Sequence, residues 1–383
     1  MHRDLELALI RRALERRAPS AEGPDSTVAV ALYTDAERFE RELNARHRRH
    51  LNVVAHASEL PAPGDFVTRE ILGVPAIVVR DDAGRARAFL NVCRHRGATV
   101  ELRERGHCKR FVCPYHAWTY GRDGALASVR HRAGFPSLKQ VDAGLVELAC
   151  EEAGGFVWVC PDPKLRPTLD PDLRGLLAEV DGLGPERPQL FARTTRLWKA
   201  NWKLLIEGGL ESYHFKIAHR ATVGPLFGDT TSQHARVGAS FRLMLPRKTL
   251  PSLAERPEAE WKITEHANVL YMLHPNVSVL VQDGHLALLT MDPVSVDETL
   301  ISVATVGRAP TGEAYGDKAR TFLQANHDFT VKTLDEDFVL AEQIQRGFRT
   351  GANTELRFAS FEGALREFHE GLESEMRDGA PAA

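Results

Sequence analysis

Two short segments carry the residue types that bind metal: Cys93-Arg94-His95-Arg96-Gly97 and Cys113-Pro114-Tyr115-His116. Seventeen residues separate the first Cys-x-His from the second motif, Cys-x2-His. Two Cys and two His could hold structural zinc, which takes four such ligands. The spacing argues otherwise. Finger-type zinc sites pair Cys with Cys and His with His, whereas each segment here supplies one of each. A two-iron cluster with two Cys on one iron and two His on the other fits mixed loops of this kind. Imidazole ligation raises the reduction potential, which suits an intermediate in electron transfer. Cys108, Cys150 and Cys160 fall outside the motifs and read as small buried apolar residues.

Electrons from such a cluster need a destination. Between Asn201 and His219 lie two histidines, His214 and His219, five residues apart. On a regular helix five residues turn about 500°, so the two side chains point roughly 140° apart. Both reach one metal only if the helix unwinds or bulges between them. Glu211 and His214 are three apart and share a helical face, so Glu211 reads as a carboxylate behind His214. A 2-His-1-carboxylate triad, whose open positions mark non-haem Fe(II) oxygenases, needs one more ligand. Asp335, Glu336 and Asp337 are the candidates, and position alone does not choose among them. The same acids would also suit a charged helix start. His266, His274, His285 and His327 read as ordinary surface or core histidines.

The run Cys-x-His-Arg-Gly-Ala, followed by Cys-Pro-Tyr-His-Ala-Trp-Thr-Tyr, resembles the Rieske domain of the ring-hydroxylating oxygenases. Gly154-Gly155-Phe156-Val157-Trp158-Val159 is similar to the end of that domain. Residues 201–219 resemble the family's catalytic helix, which reads Asn-Trp-Lys, then Glu-Asn, then an acid, Tyr-His and a second His. The resemblance spans roughly residues 30–370. One departure stands out: Gly208-Gly209 replaces the usual Asn-aromatic pair, whose Asn can line the iron pocket.

This resemblance carries specific implications. Cys93, His95, Cys113 and His116 would hold a Rieske 2Fe-2S cluster. His214, His219 and Asp337 would hold one mononuclear Fe(II), because the family's ligand Asp follows an acid and precedes a Gln by eight residues, which matches Asp337 and Gln345. Glu211 would link His214 to a Rieske histidine (His95 or His116) of the neighbouring subunit in a homotrimer, the centres within one subunit being too far apart. Electrons would come from NADH or NADPH through a flavin reductase, with or without a ferredoxin. The leading function is a terminal oxygenase using O2 to hydroxylate a small aromatic or alicyclic substrate. The alternative in the same chemistry is N- or O-demethylation, or quaternary-ammonium oxidation. A third reading, a non-oxygenase electron carrier, is opposed by the intact triad residues.

The elements that must position these residues fall into an α+β class. Residues 1–50 read as a helical segment: one amphipathic helix around Leu5 to Leu14 and a polar one over residues 36–49, both decoration on the surface or at a subunit contact. Residues 51–165 alternate short apolar runs with Gly, Asp and Pro, and read as an all-β domain. Proline-rich residues 166–190 read as a linker containing a short helix near Leu173 to Val180. Residues 191–383 read as the catalytic domain, with a helix from Trp202 to about His214. Strands are expected at 234–250, 268–281, 285–292 and 299–308, a long helix at 316–346 with a candidate break near Leu334, and a final helix near 361–377. By resemblance this domain is a helix-grip fold, an antiparallel sheet around a long helix. Phe215 to Phe227 and the following strands should line the pocket, with Phe227, Phe241, Tyr271, His274, Val281 and Leu289 as candidates. Trp261, Tyr271 and Phe241 are candidates for a cage around a quaternary ammonium group.

The bulk numbers agree. The chain has 383 residues, enough for two domains, and a net charge of -3 that gives no argument for nucleic acid or an anionic membrane as partner; neither is expected. Five cysteines exclude a complete disulfide framework and fit a reducing compartment. No apolar segment follows a basic start, and no run approaches the ~20 apolar residues of a membrane span. A cytoplasmic enzyme is expected.

Overall fold

The computed structural model describes residues 2–15, 23–310 and 315–378. The chain forms two compact units: His47–Asp170, and Met1–Arg46 together with Pro171–Ala383. No helix among the described residues is long and apolar enough to cross a membrane.

The His47–Asp170 unit is built from short antiparallel strands. A five-stranded sheet runs in the order Glu147–Leu148, Ala86–Leu90, Val74–Arg80, Asp65–Ile71, Arg105–His107. Two three-stranded sheets accompany it. One is Cys150–Ala153, Phe156–Val159, Asn52–His56, and the other Phe111–Val112, Thr119–Tyr120, Leu126–Ser128. The central strand Val74–Arg80 is buried from Ala76 onward, as a β-branched run covered on both faces must be. One core cluster joins Phe66, Phe89, Phe111, Trp118 and Tyr120 to Cys93 and Cys113. Both candidate ligand loops therefore spring from packed strands.

The second unit centres on seven strands: β1 (Pro188–Trp198), β2 (Gln233–Val237), β3 (Ser240–Pro246), β4 (Ala267–Leu273), β5 (Val277–Gln282), β6 (His285–Ser295) and β7 (Glu298–Arg308). They form one antiparallel sheet in the order β1-β7-β6-β5-β4-β3-β2. The long runs expected at 234–250 and 268–281 are each two strands, split by turns at Gly238-Ala239 and at His274 to Asn276. Six longer helices accompany the sheet: α1 (His2–Glu15), α2 (Ala36–Glu42), α3 (Pro171–Leu183), α4 (Trp202–Leu210), α5 (Asp317–Phe348) and α6 (Gly363–Asp378). Helix α5 packs across β1, β6 and β7 and against α4, the helix-grip arrangement. It runs unbroken through Leu334.

Both flanks of the catalytic unit differ from the sequence reading. The N-terminal helices are not decoration. Ser26–Ala29 pairs with Glu355–Phe358, and Tyr33, Phe39, Glu42 and Leu43 are buried in the same unit as the catalytic sheet. Helix α2 continues as a π-helical stretch at Leu43–Arg48 rather than as a regular helix. The proline-rich stretch hides a full helix, because Pro171 takes the first helical position, where its missing N–H costs nothing. Leu173, Leu176, Leu177 and Val180 bury one face of that helix.

Candidate metal centres and substrate cavity

The two cluster loops have the same backbone. In each, the N–H four residues past the cysteine donates to the cysteine carbonyl, Gly97 to Cys93 and Ala117 to Cys113, both at 2.9 Å. Each cysteine N–H in turn donates across the loop, to Ala98 at 2.8 Å and Trp118 at 2.9 Å. The turn needs a left-handed residue, with φ of 77° at Gly97 and 60° at Ala117. Glycine adopts this freely; Ala117 does so at the cost of about 1–2 kcal/mol, a strain that marks a built site.

These loops bring the four ligand candidates together. Cys93 and Cys113 are buried neighbours. His95 Nδ1 and His116 Nδ1 stand 3.1 Å apart, the spacing of two nitrogens on one metal at about 2.0–2.1 Å each. The His95 ring stacks on Trp118 at 5.0 Å between centroids. The Tyr120 hydroxyl accepts from the Arg94 N–H at 3.0 Å and so turns its proton toward Cys93 Sγ at 3.2 Å. Hydrogen bonds to cluster sulfurs tune reduction potential. Sequence reasoning missed Tyr120; the Tyr at the end of the second motif was its only signal. Burial pushes the thiols of the other cysteines up, Cys108 to about 11 and Cys150 to about 12, so they remain unreactive thiols.

The second centre depends on where helix α4 stops. It ends at Leu210, not near His214. Glu211 is extended, at φ −137° and ψ 169°, so it does not share a helical face with His214. Its carboxylate instead folds back: Oε2 accepts from the Tyr213 and His214 N–H groups, and Oε1 pairs with His214 Nδ1. A single helical turn, Phe215–Ala218, follows, and His219 leaves it at φ −96°, ψ 24°. That departure removes the angular conflict of five helical residues. His214 Nε2 and His219 Nε2 come within 3.2 Å.

Three adjacent acids on α5 divide the work. Asp337 Oδ1 lies 3.4 Å from His214 Nε2 and 2.9 Å from His219 Nε2, and it closes the cluster with the two histidines. Glu336 Oε2 sits 2.8 Å from His219 Nδ1 and accepts from Thr222 Oγ1 at 2.6 Å. Asp335 turns away to Arg196 at 2.5 Å. Each histidine thus has a carboxylate on Nδ1, which leaves Nε2 facing the shared point. Burial works against a charge on His219, yet Asp337 and Glu336 together raise its pKa. This is a site electrostatically prepared for a cation. Two imidazole nitrogens and one carboxylate oxygen on one side fit the facial triad of an oxygen-activating Fe(II). Gln345 lies farther along α5; its Oε1 accepts from the Asn201 N–H at 3.1 Å and anchors the start of α4.

Beside the triad lies a cavity of about 140 Å³. Leu205, Leu245, Leu270, Leu280 and Leu288 supply much of its wall, with Phe215, Phe227 and Phe338 as its aromatic rings. Of the expected lining residues, Phe215, Val223 and Phe227 from the 215–227 segment and Leu289 face it, whereas Phe241, Tyr271, His274 and Val281 do not. Tyr271 and Val281 fall on the opposite face of their strands, since alternate residues point to opposite sides. The cage candidates do not assemble: Trp261 donates to the Arg256 carbonyl, and Phe241 lines a different small hollow. A groove of about 470 Å³ runs on the far side of Gly208, lined by Glu207, Glu211, His214 and Asp337.

A mixed Cys/His cluster domain joined to a 2-His-1-carboxylate site defines a Rieske non-haem iron oxygenase. The chain belongs to the ring-hydroxylating oxygenase alpha-subunit family. The ring hydroxylating alpha subunit (catalytic domain) model matches residues 186–378, and the Rieske [2Fe-2S] domain model matches residues 50–141. It is 32% identical to the carnitine monooxygenase oxygenase subunit of Escherichia coli K12 over 333 residues, covering 85% of this chain and 84% of the relative. It is 27% identical to the glycine betaine monooxygenase oxygenase subunit of Pseudomonas aeruginosa, covering 84% and 82%. Its fold matches a quaternary ammonium Rieske monooxygenase described in terms of carnitine oxidation and inter-subunit electron transfer. That match has a TM-score of 0.78 at 24% identity, over 91% of this chain and 95% of that one. The protein is accordingly the terminal oxygenase component of a Rieske system, with a 2Fe-2S cluster and a mononuclear iron.

Proposed function

We propose that Cys93, His95, Cys113 and His116 hold the Rieske cluster and that His214, His219 and Asp337 hold the catalytic Fe(II), oriented by Glu211 and Glu336. The iron supplies O2 activation; the protein supplies position and surroundings. The substrate is a small aromatic or alicyclic compound with an apolar body. One observation carries this: the cavity beside the triad is walled mainly by aliphatic side chains. An apolar cavity of about 150 Å³ is large enough for one benzene ring. His219, Phe215 and Asp337 line the same cavity, so a ring held there would lie beside the candidate iron ligands.

Electrons enter at Glu211. Its carboxylate is fixed on His214 and faces the groove, where a Rieske histidine of a neighbouring copy in a homotrimer would meet it. The donor is a flavin reductase, with or without a ferredoxin. Glu211→Gln should keep both metals and abolish most turnover; near-normal turnover would sink the bridge.

The names of the relatives favour a second reading, oxidation of a quaternary ammonium compound. Against it, the cavity lining includes no Trp or Tyr and no carboxylate besides Asp337. A permanent cation there would give up water for three phenyl rings at most. Incubation with a surrogate reductase separates the readings by O2 uptake and product mass. Alkylbenzenes or cyclic ketones gaining oxygen support the first; turnover of carnitine or glycine betaine alone would replace it by the second.

A further inference from the structure

One polar side chain in the cavity wall has its donors uncommitted. Asn268 lies on β4, on the same face as Leu270 and Met272, and pairs in register with Leu245. Its Oδ1 accepts from Arg247 Nη2 at 2.8 Å. A guanidinium has only donors, so this contact sets the amide orientation: oxygen toward Arg247, NH2 away from it. Among the described residues, no hydrogen-bond acceptor meets that NH2. Arg247 is itself half-buried, forms no ion pair among the described residues, and keeps a buried Nε without a partner. A desolvated cation on the amide oxygen polarises the amide and strengthens its N–H donors. Those donors border a mainly apolar cavity, where an unmet donor is costly.

We propose that Asn268, backed by Arg247, is the specificity-determining donor of this site, and that it selects ring compounds bearing a hydrogen-bond-accepting oxygen, a carbonyl or a carboxylate. The proposal rests on the apolar-body reading above and narrows it. The competing donor is Ser278 on β5, which also lines the cavity and whose buried Oγ has no partner. It pairs with Met272, four residues along from Asn268, about 13 Å at strand spacing. A ligand of one ring reads one of the two, not both.

Equilibrium binding to the metal-loaded protein under anaerobic conditions tests this, with acetophenone, benzoate and ethylbenzene as probes. The wild type should bind acetophenone or benzoate at least about tenfold more tightly than ethylbenzene, the worth of one good hydrogen bond. Asn268→Leu should erase that preference while ethylbenzene affinity stays within about twofold. Asn268→Asp keeps the contact to Arg247 but removes the donors, so it should erase it too and reject benzoate most strongly. Benzoate losing more than acetophenone in Arg247→Met would identify the anion as the preferred form; equal losses would identify the carbonyl. A preference that survives both Asn268 variants, or that Ser278→Ala removes instead, overturns the proposal. Ethylbenzene bound as tightly as acetophenone by the wild type overturns it while leaving the apolar reading intact. Binding of glycine betaine and none of the three probes overturns both.

Discussion

Asp335, Glu336 and Asp337 are consecutive acids on one helix, and each does something different. Helical geometry turns successive side chains by about 100°, so three neighbours cannot face one point. Asp337 reaches the two Nε2 atoms, Glu336 reaches His219 Nδ1, and Asp335 reaches Arg196. With His219 as the proposed ligand, Glu336→Ala should weaken Fe(II) binding about 10–100-fold while the cluster absorption stays unchanged, since Glu336 holds that histidine without reaching the shared point. Anaerobic Fe(II) titration measures this; unchanged affinity would remove Glu336 from the site. Asp335→Asn, at a partly exposed ion pair, should change stability by no more than about 1 kcal/mol and leave iron binding alone.

At the scale of elements, helix α4 carries two adjacent glycines that treat an added methyl group differently. A Cβ at Gly208 would meet nothing within 4 Å, whereas one at Gly209 would meet Met272 Cε at 3.0 Å. Gly208→Ala should stabilise the protein by about 0.5–1 kcal/mol by restricting the unfolded chain, and Gly209→Ala should gain less. Urea denaturation of the two variants decides this; equal gains would mean that Met272 moves freely. Helix α6 supplies a pH test. Burial raises the Glu375 carboxyl, but Arg46 and His274 outweigh that and hold it well below the usual carboxylate range. A depressed folded pKa contributes stability above the unfolded value of about 4.3, and loses it as pH falls toward the folded value. The melting temperature of the wild type should therefore exceed that of Glu375→Gln at pH 7, and the gap should narrow below about pH 4. A constant gap across that range would show that the carboxylate charge is not what matters.

At the scale of the whole molecule, the chain leaves the catalytic unit after Arg46 and returns to it at Pro171. The N-terminal residues are bound into that unit by a fully buried ion pair, Glu42 with Lys203, beside Arg38 at 2.8 Å from Glu42. Burial lowers the Lys203 pKa and Glu42 opposes the shift. Removing one partner leaves a buried charge unmet. Glu42→Gln should therefore cost about 3–5 kcal/mol in chemical denaturation, against at most about 1 kcal/mol for a surface pair such as Arg308 with Glu186. A loss below 1 kcal/mol would show that Arg38 and Lys203 find other partners.

The cluster's signature was legible in the sequence because the four ligand candidates sit in two short loops whose spacing is local and whose residue types have few other uses together. Much of the secondary structure was legible for the same reason, since apolar periodicity is written within each element. The mononuclear site was legible only in part. His214 and His219 stood out, but a regular helix would have parted them, and only the end of α4 at Leu210 and the single turn after it bring their nitrogens together. Which acid joins them depends on the rotation of α5 about its axis, and that is set by packing against β1, β6 and β7. The cavity wall was least legible. Neighbouring strand residues face opposite ways, so the choice between Tyr271 and Leu270, or Val281 and Leu280, is settled by sheet register rather than by composition. The donor at Asn268 follows from one contact with Arg247 across two strands, which no spacing in the sequence records.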